Sequence, residues 1–190
     1  GRSAEAAAVR AFDALRGDSA RLYTFLFAMP KGGDLHSHLS GAIYAESYLA
    51  WAEEDGLCMT LETLTLAAPP CDAAAGRPAV GEAQRDATLR DRVIDAFSTR
   101  NYSPAVEDGH ERFFSTFGRL GLVSGSHTGD MLGEVAARAA RGQVRYVELM
   151  HTAGGMSVSG LGASVGWDED FGVLRQRLLG AGLADTLAAI

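Results

Sequence analysis

The sequence predicts a soluble, folded protein of the α/β class. Of its 190 residues, 47% are apolar, which is the composition of an ordinary globular protein. Apolar residues recur at helical spacing along several segments. One such helix leads directly into residues 144–150, VRYVELM, which are β-branched and aromatic and form the best candidate for a buried strand. A helix followed at once by a strand is typical of α/β folds.

Charge and hydropathy exclude two classes of partner. The chain carries 17 Lys and Arg against 24 Asp and Glu, a formal net charge of −7, and Lys31 is its single lysine. Nucleic-acid binding needs clustered basic residues that displace counterions from phosphates, so we expect no nucleic-acid partner. No apolar run approaches the roughly 18 residues of a membrane-spanning helix, so we expect no membrane partner. No signal peptide is recognisable, and because the first residue is Gly1, any leader would lie outside this sequence.

Two helices are predicted at the start of the chain. Residues 4–15 repeat Ala, Val, Phe and Leu on one helical face, and residues 21–28 form a second, shorter helix. Ser19 offers the cap of this second helix, and the proline after it closes it. We therefore predict residues 1–29 as an N-terminal helical extension and residues 30–190 as the body of the protein.

The next segment predicts a helix and then a small ribbon closed by a disulfide. Residues 42–54 have helical spacing, and the glycine after Asp55 ends this helix. Cys58 and Cys71, the two cysteines of the chain, bracket alternating apolar residues that predict a short extended ribbon. We predict a bridge between them, with two unpaired, half-buried thiols as the alternative. The bridge would contribute roughly 3 kcal/mol and would require an oxidising compartment. Residues 67–83, rich in Ala, Pro and Gly, predict a loop or insertion beside the ribbon.

The second half of the chain alternates helices with one strand and one long loop. Helical periodicity and caps predict helices over 84–97, over 110–120, up to Arg141 after a cap at Ser126 or Thr128, and over 167–179. Glycine-rich residues 151–166 have no apolar period and predict a long loop of the kind that carries function after a strand. Residues 183–190 predict the start of a further element.

A pair of histidines carries the clearest indication of chemistry. Gly32 and Gly33 lead into a short strand in which His36 and His38 point to the same face, because side chains alternate with a period of two. Neutral imidazoles are common zinc ligands, and a catalytic zinc site keeps one position open for water. The pair supplies two ligands. The alternative is a pair of surface histidines or of histidines satisfied in the core.

Three motifs in the same order resemble those of a known family. They are MPKGGDLHSHLSGA at 29–42, HERFFSTFGRL at 110–120 and ARGQVRYVELM at 140–150. The first resembles the opening motif of the adenosine deaminase family, in the metal-dependent amidohydrolase superfamily, and in particular of its secreted, growth-factor-related and bacterial branch. The resemblance implies a (β/α)8 TIM-type barrel. That fold needs at least about 200 residues, so residues 30–190 would form its first two or three units, with the remainder outside this sequence.

The resemblance also implies roles for residues of the first motif. His36 and His38 match the first two zinc ligands of the family. Ser40 and Gly41 match substrate-binding positions, and many members place at the position of Ser40 an aspartate that meets the sugar. A hydroxyl can make one hydrogen bond there but brings no charge, so the affinity for a nucleoside and the choice of nucleoside stay open.

In the second motif, the resemblance implies a hydrophobic wall for the purine. Phe113, Phe114 and Phe117 match the hydrophobic residues that close over the base. The alternative is an aromatic helix face that packs into a core, and the two interpretations can hold for different members, since Phe113 and Phe117 share one face and Phe114 lies to one side.

Other polar residues are weaker candidates. His151 follows the strand 144–150 and could line the mouth of a site, although a loop histidine is more often solvated. His110 and His127 are predicted as surface residues. Glu148 within the strand needs either a polar partner or a position at the mouth of the barrel, because burying it unpaired would be costly.

The resemblance implies hydrolytic deamination of adenosine, or of a related purine nucleoside, to inosine and ammonia, with one Zn²⁺ per complete active site. The family's third histidine, aspartate and glutamate have no match before Ile190, so we expect no catalytic residue within this segment, which alone would be inactive. The cysteine pair and the branch resembled both suggest a periplasmic or secreted protein. The expected partners are the nucleoside, the C-terminal remainder of the barrel and a second copy in a homodimer. The alternatives are an inactive growth-factor-like binding protein on the same fold and a deaminase of adenine or a modified adenosine.

Overall fold

The computed structural model describes residues 2–152 and 155–189. The protein is mixed α/β, with 58% helix, 13% strand, two small sheets and a disulfide. Its contacts divide the chain after Leu149 into two compact units, which are described in turn. This division is separate from the boundary at residue 29 that the sequence predicts, which stays a prediction. Within the described residues, no helix is long and apolar enough to cross a membrane.

Two helices open the first unit, as the sequence predicts. They are α1 (Arg2–Leu15) and α2 (Ser19–Ala28). The cap of α2 is Asp18 rather than Ser19, and its side chain accepts a hydrogen bond of 3.1 Å from the backbone N–H of Arg21. At the other end, Lys31 Nζ donates to the carbonyl oxygens of Leu26, Phe27 and Met29, so the single lysine of the chain closes α2.

The strand β1 (Lys31–His38) follows and pairs with β4 (Val144–Met150) in a two-stranded sheet. After β1 comes a short 3-10 helix (Leu39–Ala42), then α3 (Ala45–Glu54). The prediction of a helix from residue 42 is therefore wrong at its start. Ile43 and Tyr44 have extended backbone, and the N–H of Tyr44 is bonded to a side chain of another helix.

The ribbon and its disulfide are present where the sequence predicts them. The antiparallel strands β2 (Cys58–Thr60) and β3 (Thr65–Ala67) pair with Cys58 opposite Ala67, and the bridge joins Cys58 to Cys71. An intramolecular disulfide is consistent with a protein outside the cytoplasm. The prediction of a loop over 67–83 is wrong at its end, where residues Val80–Ala83 form the one-turn helix α4. The side chain of Val80 is fully buried in the core, and this packing holds the turn.

Three longer helices complete the first unit: α5 (Ala87–Ala96), α6 (Gly109–Ser124) and α7 (Thr128–Arg141). The helix predicted from residue 84 is wrong at its start, because Gln84 is the C-cap of α4 and α5 begins at Ala87. Asp86 and Asp108 cap α5 and α6 through their carboxylates. The residue at the N-cap of α7 is His127, whose side chain makes no capping bond, so the predicted caps Ser126 and Thr128 are both wrong.

The core of this unit lies among the helices and the ribbon. Its fully buried side chains come from the 3-10 helix, α3, β2, α4, α5, α6 and α7, and they include Tyr48, Leu39, Leu49, Met59, Met131, Val80, Val93 and Val123. The prediction that residues 144–150 form a buried strand is right in its bounds and wrong in its burial. Val147 and Leu149 pack against the core, whereas Tyr146 and Met150 on the other face are exposed. Glu148 is exposed and accepts a 2.9 Å hydrogen bond from the Tyr146 hydroxyl.

The second unit is helical where it is described. It contains α8 (Gly155–Val165), α9 (Phe171–Gly180) and α10 (Leu183–Ala188). The predicted loop 151–166 is therefore wrong over α8, whereas residues 153 and 154 lie outside the described residues. Small residues without an apolar period gave no indication of this helix, whose neighbours α9 and α10 pack on it. The helix predicted over 167–179 begins instead at Phe171, behind the cap Asp170, and the element predicted from 183 is a helix. Ile190 lies outside the described residues.

Candidate functional site

The two histidines of the first motif lie side by side at the end of β1. The ring centroids of His36 and His38 are 5.4 Å apart with an angle of 63° between the planes, and both side chains are exposed. Two imidazoles this close can share a cation. Within residues 2–152 and 155–189, no group of three or more His, Cys, Asp and Glu side chains is arranged to hold a metal ion. The described residues therefore place two imidazoles side by side, and their binding of zinc stays a prediction.

A third polar side chain on this face of β1, that of Asp34, already accepts a hydrogen bond within the strand. Asp34 shares the face of His36 and His38 by the period of two, but its Oδ1 accepts a 3.3 Å hydrogen bond from the backbone N–H of His36. Its carboxylate is thus held toward its own backbone. A complete tetrahedral site on these imidazoles would need further ligands from other residues.

The segment after β1 is held by the interior of the protein. The carbonyl oxygen of Ser40 accepts a 2.8 Å hydrogen bond from the hydroxyl of Tyr48, whose side chain is fully buried on α3. Burial, and secondarily the charge of Glu134, raise the pKa of Tyr48, so its hydroxyl remains a donor. The backbone of Ser40, the second residue of the 3-10 helix, is therefore held by this hydrogen bond.

Gly41 meets the aromatic helix at close range. A Cβ atom added at Gly41 would lie 2.9 Å from Cζ of Phe117 and 3.5 Å from Cζ of Phe113. Glycine fits here because any side chain would have to displace the end of the Phe117 ring. The structure thus brings Gly41 of the first motif into contact with Phe113 and Phe117 of the second motif, about seventy residues further along the chain.

The three phenylalanines of α6 have different surroundings. Phe113 and Phe117 are half-buried, with ring centroids 5.1 Å apart at 82°, whereas Phe114 is 56% exposed and packs on the ring of His110 at 4.5 Å. The buried residues of α6 are Thr116, Leu120 and Val123, so none of the three phenylalanines is fully buried in the core. His110 is exposed, as a surface histidine is expected to be, and so is His151 after β4.

A cavity of about 420 Å³ adjoins this contact. Its lining comes from residues 41–46, from the end of α5 and the residues after it, and from α6 and α7; among the predicted site residues it includes Gly41 and Phe113. The floor is apolar, since Ile43, Ile94 and Phe97 are buried, and Arg100 and Arg138 bring two cationic groups. His36, His38 and Ser40 are not part of this lining.

Two charged residues that sequence reasoning missed contact the segment after β1. Glu134 and Arg138 lie one turn apart on α7 and bond to the backbone at Tyr44 and Ala42. An acid followed four residues later by a base is recognisable in a helix. The pattern does not reveal the backbone groups that the pair bonds, which are about ninety residues away.

The expectation that His127 is a surface residue is wrong. Its side chain is only 12% exposed and stacks on Trp51, with ring centroids 5.2 Å apart at 7°. Nδ1 lies 2.7 Å from Asp130 Oδ2 and Nε2 lies 3.2 Å from Asp55 Oδ1. The hydrogen bond to Asp130, and then that to Asp55, raise the pKa of His127.

No protein-family model, no curated protein and no solved structure matches this chain.

Proposed function

We propose that this chain is the N-terminal part of a zinc-dependent deaminase of adenosine or a related purine nucleoside. His36 and His38 would be its first two metal ligands. One observation carries the proposal: three residues beyond the paired imidazoles, Gly41 packs on the Phe113 and Phe117 rings. The strand end that would bind the metal is thereby only three residues from an apolar corner, formed by Gly41 and two phenylalanine rings that stand at 82° to each other.

The chemistry assigns separate tasks to these residues. Zinc, when bound, would lower the pKa of a bound water to about 7 and so supply a nucleophile for C6 of the purine. The phenylalanine rings and the glycine would form one wall of the base pocket, where an aromatic face excludes water and stacks on the purine. The Ser40 hydroxyl would offer one uncharged hydrogen bond to the ribose.

The sheet supports the barrel that the motifs imply. In this proposal β1 and β4 are neighbouring strands of a (β/α)8 barrel, and the further strands, metal ligands and acid-base groups come from residues beyond this sequence. A sheet of two strands is marginally stable by itself, and here Leu35 and Tyr146 are exposed on it. Closure of further strands into a barrel would cover residues on the inner face of the sheet.

The test is metal content and turnover of the complete protein. We expect about one zinc per chain and conversion of adenosine to inosine with release of ammonia. His36→Ala and His38→Ala should lose zinc and turnover together, whereas His110→Ala, at an exposed histidine of α6, should keep the zinc. A complete protein that binds no zinc and forms no inosine would refute the proposal and favour the inactive binding protein. Faster turnover of adenine than of adenosine would reassign the substrate.

A further inference from the structure

We propose that Glu134 and Arg138 are positioning residues, which hold residues 40–44 at the distance from α6 that the purine pocket requires. The inference rests on the function proposed above, because it assigns the pair to the same site. It concerns residues that none of the three motifs contains.

The pair bonds the backbone directly. Glu134 Oε1 accepts a 3.1 Å hydrogen bond from the N–H of Tyr44, and Arg138 Nη2 donates to the carbonyl oxygen of Ala42. The two side chains are also joined to each other, with Arg138 Nη1 3.1 Å from Glu134 Oε1. Each charge therefore strengthens a bond that the other makes, since ionised donors and acceptors form the stronger hydrogen bonds.

The surroundings of the pair distinguish it from an ordinary surface ion pair. The side chains are 29% exposed at Arg138 and 18% at Glu134, so both are mostly covered. The guanidinium lies 4.6 Å from the centroid of the Tyr44 ring, in a cation-π arrangement. Exposed pairs contribute little because water screens them and long side chains lose entropy. Here the guanidinium is fixed from three sides, by Glu134, by Ala42 and by the Tyr44 ring.

Side chains bond the backbone along the whole segment 40–44. The carbonyl of Ser40 is bonded by the Tyr48 hydroxyl, whose oxygen also lies 3.2 Å from Sδ of Met131 on α7. Backbone groups at residues 40, 42 and 44 are thus each satisfied by a side chain from α3 or α7. The 3-10 helix is a single turn, and Ile43 and Tyr44 after it are extended, so these side chains add to the few backbone bonds that position the segment.

The consequence falls on the pocket more than on the metal ligands. Gly41 lies between the bonded residues and touches Phe117 with no room for a Cβ, so a small movement of the segment changes the wall of the pocket. His36 and His38 precede the segment on β1, which is paired with β4. Releasing the segment should therefore weaken binding of the nucleoside and leave zinc content unchanged.

The experiment compares Arg138→Met with Arg141→Met in the complete protein. Arg141 is exposed in the last turn of the same helix, so it controls for loss of a basic residue from α7. Glu134→Gln and Arg138→Lys are milder variants, and the lysine, which keeps the charge without the fork, should rescue part of the effect. The readouts are hydrogen exchange of the Tyr44 amide, zinc content, and kcat and KM for adenosine.

We expect Arg138→Met to raise KM about tenfold and to change kcat by less than about threefold. Exchange of the Tyr44 amide should be about tenfold faster, and zinc content unchanged. Arg141→Met should match the wild type. An unchanged Tyr44 amide would show that the pair does not hold the segment, and a faster amide with unchanged KM would reduce the pair to a structural role; either result overturns the inference. Failure of the proposed function would be recognised separately, by a wild-type protein without turnover.

Discussion

The contact between His127 and its two carboxylates predicts a stability that falls as the pH rises. Both ring nitrogens face carboxylate oxygens, at 2.7 Å from Asp130 and 3.2 Å from Asp55. Only the doubly protonated imidazolium can donate at both nitrogens, because the neutral ring has a donor on one side and an acceptor on the other. The neutral ring would place its lone pair against a carboxylate.

The sign follows from the direction of the shift. The pKa of His127 is raised in the folded protein, first by Asp130 and then by Asp55, above the ordinary value of 6.5. The stabilisation is fully present below the unfolded pKa, and it is lost as the pH rises through the folded pKa. Two hydrogen bonds to a charged group would contribute several kcal/mol if buried, but Asp130 is 60% exposed. Water screening reduces the expected loss to about 1 kcal/mol, or about 2–4 °C in Tm for a chain of this size.

The assay is urea unfolding followed by circular dichroism between about pH 6 and pH 8.5, where histidines are the side chains that ordinarily titrate. The wild type is compared with His127→Gln and with His110→Gln, a control at a ring that is 70% exposed. We expect the advantage of the wild type over His127→Gln to shrink by about 1 kcal/mol across this range, while His110→Gln follows the wild type. A constant difference between wild type and His127→Gln, or one that grows with pH, would refute the reasoning, because histidines common to both proteins cancel.

Three further predictions concern single contacts. Replacing Cys58 and Cys71 together by alanine should lower the free energy of unfolding by about 3 kcal/mol, since the bridge closes a loop of sequence separation 13, and an unchanged urea midpoint would contradict this. Gly41→Ala should cost about 1–2 kcal/mol because its Cβ would meet Phe117, whereas Gly118→Ala, in open space within α6, should stabilise by about 0.5–1 kcal/mol; thermal unfolding measures both, and equal effects would count against the close approach. Lys31→Met should speed hydrogen exchange over the last turn of α2, because three carbonyls lose their common donor, and unchanged exchange there would show that water replaces the ammonium without loss.

Local pattern was sufficient for much of the secondary structure. The strand at residues 144–150 has the predicted bounds, and the helices α5 and α7 are present where the sequence predicts helices, apart from the start of α5 and the cap of α7. The ribbon and its disulfide follow from alternation and from the presence of two cysteines. α8 was missed because packing of neighbouring helices, rather than its own glycine-rich sequence, determines that it is helical.

Burial and capping depended on neighbours that the pattern does not contain. A β-branched, aromatic segment such as 144–150 is compatible with burial on both faces, but in the structure only the face of Val147 and Leu149 packs on the core. Asp18 and Ser19 are both good N-cap residues, so the sequence does not decide between them. In the structure α2 begins at Ser19, which makes Asp18 the cap.

The candidate site divides in the same way. The period of two in a strand predicts that His36 and His38 share a face, and their rings lie 5.4 Å apart. The surroundings of His127 and Arg138 could not be predicted, because Asp55 is 72 residues from the first and Ala42 is 96 residues from the second. Spacing along the chain reports neighbours within one element, whereas these contacts join elements that meet only in the folded protein.

Helix α7 connects these separate contacts. Met131, Glu134 and Arg138 follow one another at steps of three and four residues, so they share one face of the helix, and His127 lies immediately before its first turn. Along this line the helix contacts first the end of α3, then Tyr48, then the backbone after β1. The bonds on this face of α7 therefore reach both α3 and the backbone of the segment that follows the paired histidines, which spacing along the chain does not reveal.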